Sequence, residues 1–244
     1  MALDTIVLEN KAAADSAGST TTSLDVDITS LGEVVGDVLV GLAMSDSNSA
    51  TQSMTPPTDW TEIANRSNSS NDCSVNLSFL VVVGDEGNTV SFPSSPANNM
   101  VAFVWRLSGV DLTTVEDTTH VEQGRNSNAN VPITVLTTIT DGALAFFGRT
   151  FDGGDGFPFS IQDVGNWEEE DERQDGTGAA NACGHTGILP MPTAGNTNSG
   201  NNSVASVSDG GGIIVTALRP ATLAVGGLPP FMLGHNQHNT LLRM

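Results

Sequence analysis

The densest run of ionisable side chains in the sequence is Glu168-Glu169-Glu170-Asp171-Glu172, followed by Arg173 and Gln174. Paired carboxylates can hydrolyse a glycosidic bond, one donating a proton while the other activates water or attacks directly. On a strand that chemistry needs alternate positions, because neighbouring side chains point to opposite faces. This run is unbroken and passes straight into a cation, so it predicts a solvated loop. His120 and His185 lie far apart with no evident nucleophile beside either, and are expected to be exposed or hydrogen-bonded structural residues. The sequence has no Gly-x-Ser-x-Gly elbow, no His-Glu-x-x-His pair and no phosphate-cradling Gly-Lys-Ser/Thr. No catalytic residue is assigned, and no enzyme is expected.

Two segments offer ligands to an ion. Phe151-Asp152-Gly153-Gly154-Asp155-Gly156 places two carboxylates in a turn, where Ca²⁺ would find oxygens, but it lacks a ligand at every second residue and a closing carboxylate. A Gly-rich turn is the favoured reading. His235 and His238 form an incomplete site unless several copies meet. No metal ligand or cofactor is assigned. Cys73 and Cys183 each follow a tryptophan, Trp60 and Trp167, by a similar interval. They read as small buried hydrophobes at related positions, with a disulfide as the alternative.

Charge excludes whole classes of partner. The chain carries 28 acidic and 8 basic residues, Lys11 being the one lysine, for a net charge of −20. No Arg/Lys cluster could neutralise a run of phosphates, so nucleic acid is not an expected partner, nor is an anionic membrane surface. Such a charge favours solubility at high local concentration and also suits a salty environment. The opening Met1 to Glu9 has Asp4 where a secretory leader has its basic region. No apolar stretch has the length to span a bilayer, so synthesis in a cytoplasm is the expectation.

The elements that must position these residues read as strands. Leu24, Val26 and Ile28 alternate with Asp25, Asp27 and Thr29, the period of a strand with one wet face. Val38 to Met44 and Leu77 to Val83 read as more fully buried strands. Thr89 to Phe92, Met100 to Arg106, Ile133 to Thr137, Leu144 to Phe147 and Ile213 to Leu218 continue the series, and no helix is expected beyond one possible turn at Ala12-Ala13-Ala14.

The two halves also repeat one another. Gly36-Asp37-Val38-Leu39-Val40, a Pro-Pro loop and Trp60 correspond loosely to Asp141-Gly142-Ala143-Leu144-Ala145, a Gly-rich loop and Trp167. Each half closes on an apolar strand, Met100 to Arg106 and Gly212 to Leu218. The pattern predicts an all-β, jelly-roll-like antiparallel sandwich with an internal pseudo-repeat over residues 1–221, made of two similar layers face to face.

Residues 222–244 differ in character. Gly226-Gly227 makes a hinge and Pro229-Pro230 a stiff extended piece, around which Leu228, Phe231, Met232, Leu233, Leu241 and Leu242 follow no strand alternation. This extended C-terminal tail cannot bury its own apolar side chains and is expected to bury them on a partner.

Gly36 to Val40, Pro56-Pro57-Thr58-Asp59-Trp60-Thr61-Glu62-Ile63, Thr89 to Phe92, Val101 to Arg106 with Gly109-Val110-Asp111, and the closing Leu218-Arg219-Pro220-Ala221 together resemble a jelly-roll domain of tailed-bacteriophage virion proteins. The resemblance covers residues 1–221. It implies a non-enzymatic virion structural protein, a capsid decoration or cement protein on the outer surface of the shell, made in the host cytoplasm. Its implied partners are the major capsid protein and copies of itself, as a possible homotrimer. The alternative is a tail- or fibre-associated component that binds host glycans through the loops 51–59 and 152–156, with Trp60 or Trp167 as stacking platforms.

Overall fold

The computed structural model of the protein describes residues 5–46, 53–68, 73–125, 133–152, 167–175, 182–197 and 211–222. Among them are twelve strands, one 3-10 turn at Thr29–Leu31 and no α-helix. The strands are β1 (Val7–Asp15), β2 (Thr21–Asp27), β3 (Val38–Asp46), β4 (Ser53–Met54), β5 (Thr61–Asn68), β6 (Cys73–Val81), β7 (Thr89–Ser108), β8 (Val121–Arg125), β9 (Ala143–Asp152), β10 (Glu168–Gln174), β11 (Ala182–Met191) and β12 (Gly211–Leu218). All pairings between them are antiparallel.

Each half of the chain makes its own sheet. The first has the order β1-β7-β3-β6-β5, with β2 and β4 also on β7; the second has the order β10-β11-β9-β12-β8. Setting β2 and β4 aside, and reading the second sheet from β8, both orders run first-fifth-second-fourth-third. The duplication seen in the sequence is therefore a duplication of strand order, carried by an all-β antiparallel sandwich.

The sheets stack with this order reversed. Central β3 lies over central β9, β5 over β8, and β1 is joined by side-chain ion pairs to β10. The bridge between Val110 and Pro220 ties the ends of β7 and β12 together, so β3 and β9 start from the same end of the sandwich. A half-turn about a line along the strands relates the halves.

Three apolar layers result. Between the sheets, Leu42, Phe103 and Trp105 meet Leu144, Phe146 and Ile214; Trp105 packs edge-on to Phe146 with ring centres 4.8 Å apart. Outside the first sheet, Leu39, Ala43 and Val104 lie beneath Val26, Val90 and Phe92. Outside the second, Phe147, Val215 and Ala217 lie beneath Ile133, Leu136 and Trp167. Both sheets are thus covered on both faces, which is why Val38 to Met44 of β3 and, but for Thr216, Ile213 to Leu218 of β12 are apolar, and why both strands are buried at every residue.

Gly148 lets the central strands approach: a Cβ there would stand 2.3 Å from the Leu42 side chain.

Several expectations change. Glu168 to Gln174, expected as a solvated loop, is the edge strand β10, paired with β11 through a bulge between Glu169 and Asp171. An edge strand keeps one side in water, so charges there cost little and block pairing with foreign chains. Ala12-Ala13-Ala14 lie in β1 rather than a helical turn, because β7 supplies partners for their backbone. Thr89 to Phe92 and Met100 to Arg106 are one strand, β7, whose first part pairs β2 and whose second part pairs β1 and β3. Ile133 to Thr137 is no strand; it lays Ile133 and Leu136 on the second sheet's outer face and is held by isolated contacts to the loop after β11, among them the bridge Thr137–Asn196 and the bond from Thr197 N to Leu136 O at 2.7 Å.

Candidate functional site

Among the described residues a concavity lies where the loop before β5 meets the loop after β6. Trp60 donates its backbone N–H to Pro57 O at 3.1 Å, closing a turn in which Asp59 adopts φ +67°, a left-handed conformation that Asp tolerates. The indole stands half-buried, edge-on to Phe92 with ring centres 6.1 Å apart. It can settle there because Gly41 lies beneath it; a Cβ at Gly41 would come within 2.6 Å of the ring. A groove of about 600 Å³ opens beside it, with Asp59, Asp85, Glu86, Thr58 and Ser91 along its walls.

The groove is acidic, but its carboxylates are not equivalent. Burial raises the Glu86 pKa, and backbone N–H groups, chiefly those of Val83 and Gly84, outweigh that effect, so the group ends below its ordinary value. Glu86 is therefore held to its own turn, while Asp59 and Asp85 are exposed. An aromatic face flanked by carboxylates and hydroxyls can stack an apolar sugar face while accepting hydrogen bonds from ring hydroxyls.

Trp167 is placed differently. It is 6% exposed and packs edge-on to Phe147 on the outer face of the second sheet, so it offers no platform. Beside it the structure brings together residues that the sequence did not connect. Arg149 and His185, directly opposite each other on β9 and β11, are both fully buried. Arg149 donates Nε to His185 Nδ1 at 2.8 Å and its guanidinium lies 5.5 Å from the centre of the Phe147 ring. Since Arg can only donate, His185 Nδ1 is an acceptor, and a neutral ring carries its proton on Nε2.

His120 sits in the turn before β8, where its backbone N–H donates to Glu116 at 3.0 Å. Cys73 is the first residue of β6 and Cys183 the second of the equivalent strand β11; both are buried and form no disulfide. Among the described residues no three His, Cys, Asp or Glu side chains gather as a metal-binding group. Gly153 to Gly156, His235, His238 and the tail residues Leu228, Phe231, Met232, Leu233, Leu241 and Leu242 lie outside the described residues.

Comparison with protein families, with characterised proteins and with solved structures finds no counterpart to this chain. Its function has to be argued from its own surfaces.

The sequence missed one of these surfaces. Val34, Val35 and Val83 are exposed at the end of the sandwich where β3 begins and β6 finishes. The available signal was local: Val34-Val35 stands between Gly32-Glu33 and Gly36-Asp37, an apolar pair where turn residues leave no strand to bury it.

Proposed function

We propose that the protein is a non-enzymatic structural component of a tailed-bacteriophage virion: a decoration, or cement, protein that binds the outer surface of the capsid shell and stabilises it. The observation that carries this reading is the covering of both outer sheet faces by the chain's own segments. Partners are then met by the ends, the loops and the apolar residues after 222, rather than by a sheet face. The net charge of −20 keeps densely repeated copies from sticking to one another.

In this reading the sandwich is a rigid block, and Leu228, Phe231, Met232, Leu233, Leu241 and Leu242 enter grooves between neighbouring capsid subunits. A seam exists only in the assembled shell, so binding there favours assembled over free subunits by mass action. Many weak attachments reinforce one another when copies are linked, for instance as a homotrimer. Removal of residues 222–244 should abolish or weaken attachment to particles and leave the sandwich folded. Undiminished attachment of the shortened chain would defeat the clamp.

The groove at Trp60 supports a second reading, a tail- or fibre-associated component that binds host glycans. Under it, Trp60→Ala removes glycan binding while residues 222–244 are dispensable. Copy number separates the two readings: hundreds per particle mean decoration, a few tens or fewer mean tail.

A further inference from the structure

Of the seven exposed large apolar side chains among the described residues, Val135 and Ile139 belong to the segment before β9, and the other five are grouped at one end of the sandwich. Val34 and Val35 lead into β3, Val83 follows β6, Leu112 follows β7 and Val7 opens β1 opposite Ser108, all at the end where β12 finishes. Val35 is 69% and Val83 65% exposed, and they adjoin: Gly36 N donates to Val82 O at 3.0 Å and Val82 N to Asp37 O at 2.9 Å. Leu112 and Gly36 line a shallow groove of about 300 Å³ whose third wall is Ala221 and Thr222. The chain therefore leaves the sandwich through its own apolar end.

The segment beyond Thr222 is complementary to that end. Residues 223–244 contain no acidic side chain and include Arg243, in a chain of net charge −20, whereas Glu33 precedes Val34, Asp85 and Glu86 follow Val83 within three residues, and Asp111 lines the groove with Leu112. Leu228 is six residues beyond Thr222, a reach of up to about 20 Å when extended. Gly226-Gly227 permits the chain to reverse within that reach. A tether this short gives the segment an effective concentration in the millimolar range at its own body, which favours its own end over that of a second copy.

We propose that Leu228 to Leu233 fold back in the free protein and dock on the same chain's apolar end, over Val34, Val35, Val83 and Leu112. This docking belongs to the isolated chain and does not rest on the virion reading. Should that reading hold, the same side chains have two alternative seats, this one and the capsid seam.

Disulfide trapping in the full chain tests it. Val35→Cys with Phe231→Cys should close an intrachain bond under mild oxidation, giving a monomer of altered mobility on a non-reducing gel. Ser19→Cys with Phe231→Cys places the first thiol in the exposed loop after β1, at the opposite end, where Ser19 N donates to Ser16 O and Ser16 N to Met100 O, and should oxidise at least ten-fold more slowly. Adding Val83→Asp to the first pair should slow it toward the control. Equal rates for the two pairs, or no effect of Val83→Asp, would overturn the docking seat. A predominance of disulfide-linked dimers would overturn the same-chain occupant in favour of a second copy. Val35 and Ser19 are exposed, so neither cysteine disturbs packing, and the buried Cys73 and Cys183 serve as internal controls for unfolding.

Discussion

Arg173 of β10 donates Nη1 to the Asp15 carboxylate of β1 at 2.6 Å, joining the edge of one sheet to the edge of the other. Lys11 and Asp171 repeat the join at 3.8 Å. Two residues on, the buried carboxylate of Asp175 accepts from Ser16 Oγ at 2.7 Å and Gly18 N at 2.5 Å. Asp171 of the acidic run, with Arg173 and Asp175 after it, thus fastens β10 to β1 and the turn that follows it along one side of the sandwich.

The two kinds of contact should differ in strength. The Arg173 pair is partly solvated, so Arg173→Ala is expected to cost about 0.5 kcal/mol, less at high salt. Asp175→Ala removes a buried acceptor that takes two hydrogen bonds, from half-buried Ser16 and exposed Gly18, and should cost about 1–2 kcal/mol. Denaturant midpoints of both variants at low and high salt check the ranking; equal losses would contradict it.

Gly148→Ala should destabilise the protein by about 1–3 kcal/mol, because the new methyl group meets Leu42 in a layer with no room to yield. Gly195→Ala is the matched control, since nothing lies within 4 Å of its Cβ position. Its change, read from the shift in thermal or denaturant midpoint, is expected within about 0.5 kcal/mol.

Asp37→Ala removes the partner of a mostly buried guanidinium: Arg106 donates Nε to Asp37 at 2.5 Å and Nη1 to Leu31 O at 3.0 Å. The loss should be about 3–5 kcal/mol, and Arg106→Met in the same chain should restore part of it. Amides of residues 32–36 should exchange faster in the single variant, since Asp37 also accepts from Val34 N at 3.3 Å.

Glu86 gives the stability a defined pH dependence. Its folded pKa lies below its ordinary 4.5, so its contribution is present above that value and is lost as pH falls through the lowered one. Asp27, held below its ordinary 3.8 by Thr29 Oγ1 and then Thr29 N, acts in the same sense. The stability gap between the protein and Glu86→Gln should be full near neutral pH and should close in acid. A gap independent of pH would show that the Glu86 charge contributes nothing.

The sequence by itself determined the all-β class, the repeat and the buried central strands, because residue period and apolar run length report burial directly. Val38 to Met44 had to be covered on both sides whatever the fold, and Gly36-Asp37 had to turn. Only the tertiary structure decided which strand was an edge, and so turned Glu168 to Gln174 from a loop into β10. It also decided that Trp60 walls a groove while Trp167 is sealed against the second sheet. Those outcomes depend on partners more than a hundred residues away, such as Asp15 for Arg173, and on space, such as the hollow above Gly41. No local pattern encodes either, because an antiparallel ladder is completed by contacts remote in sequence.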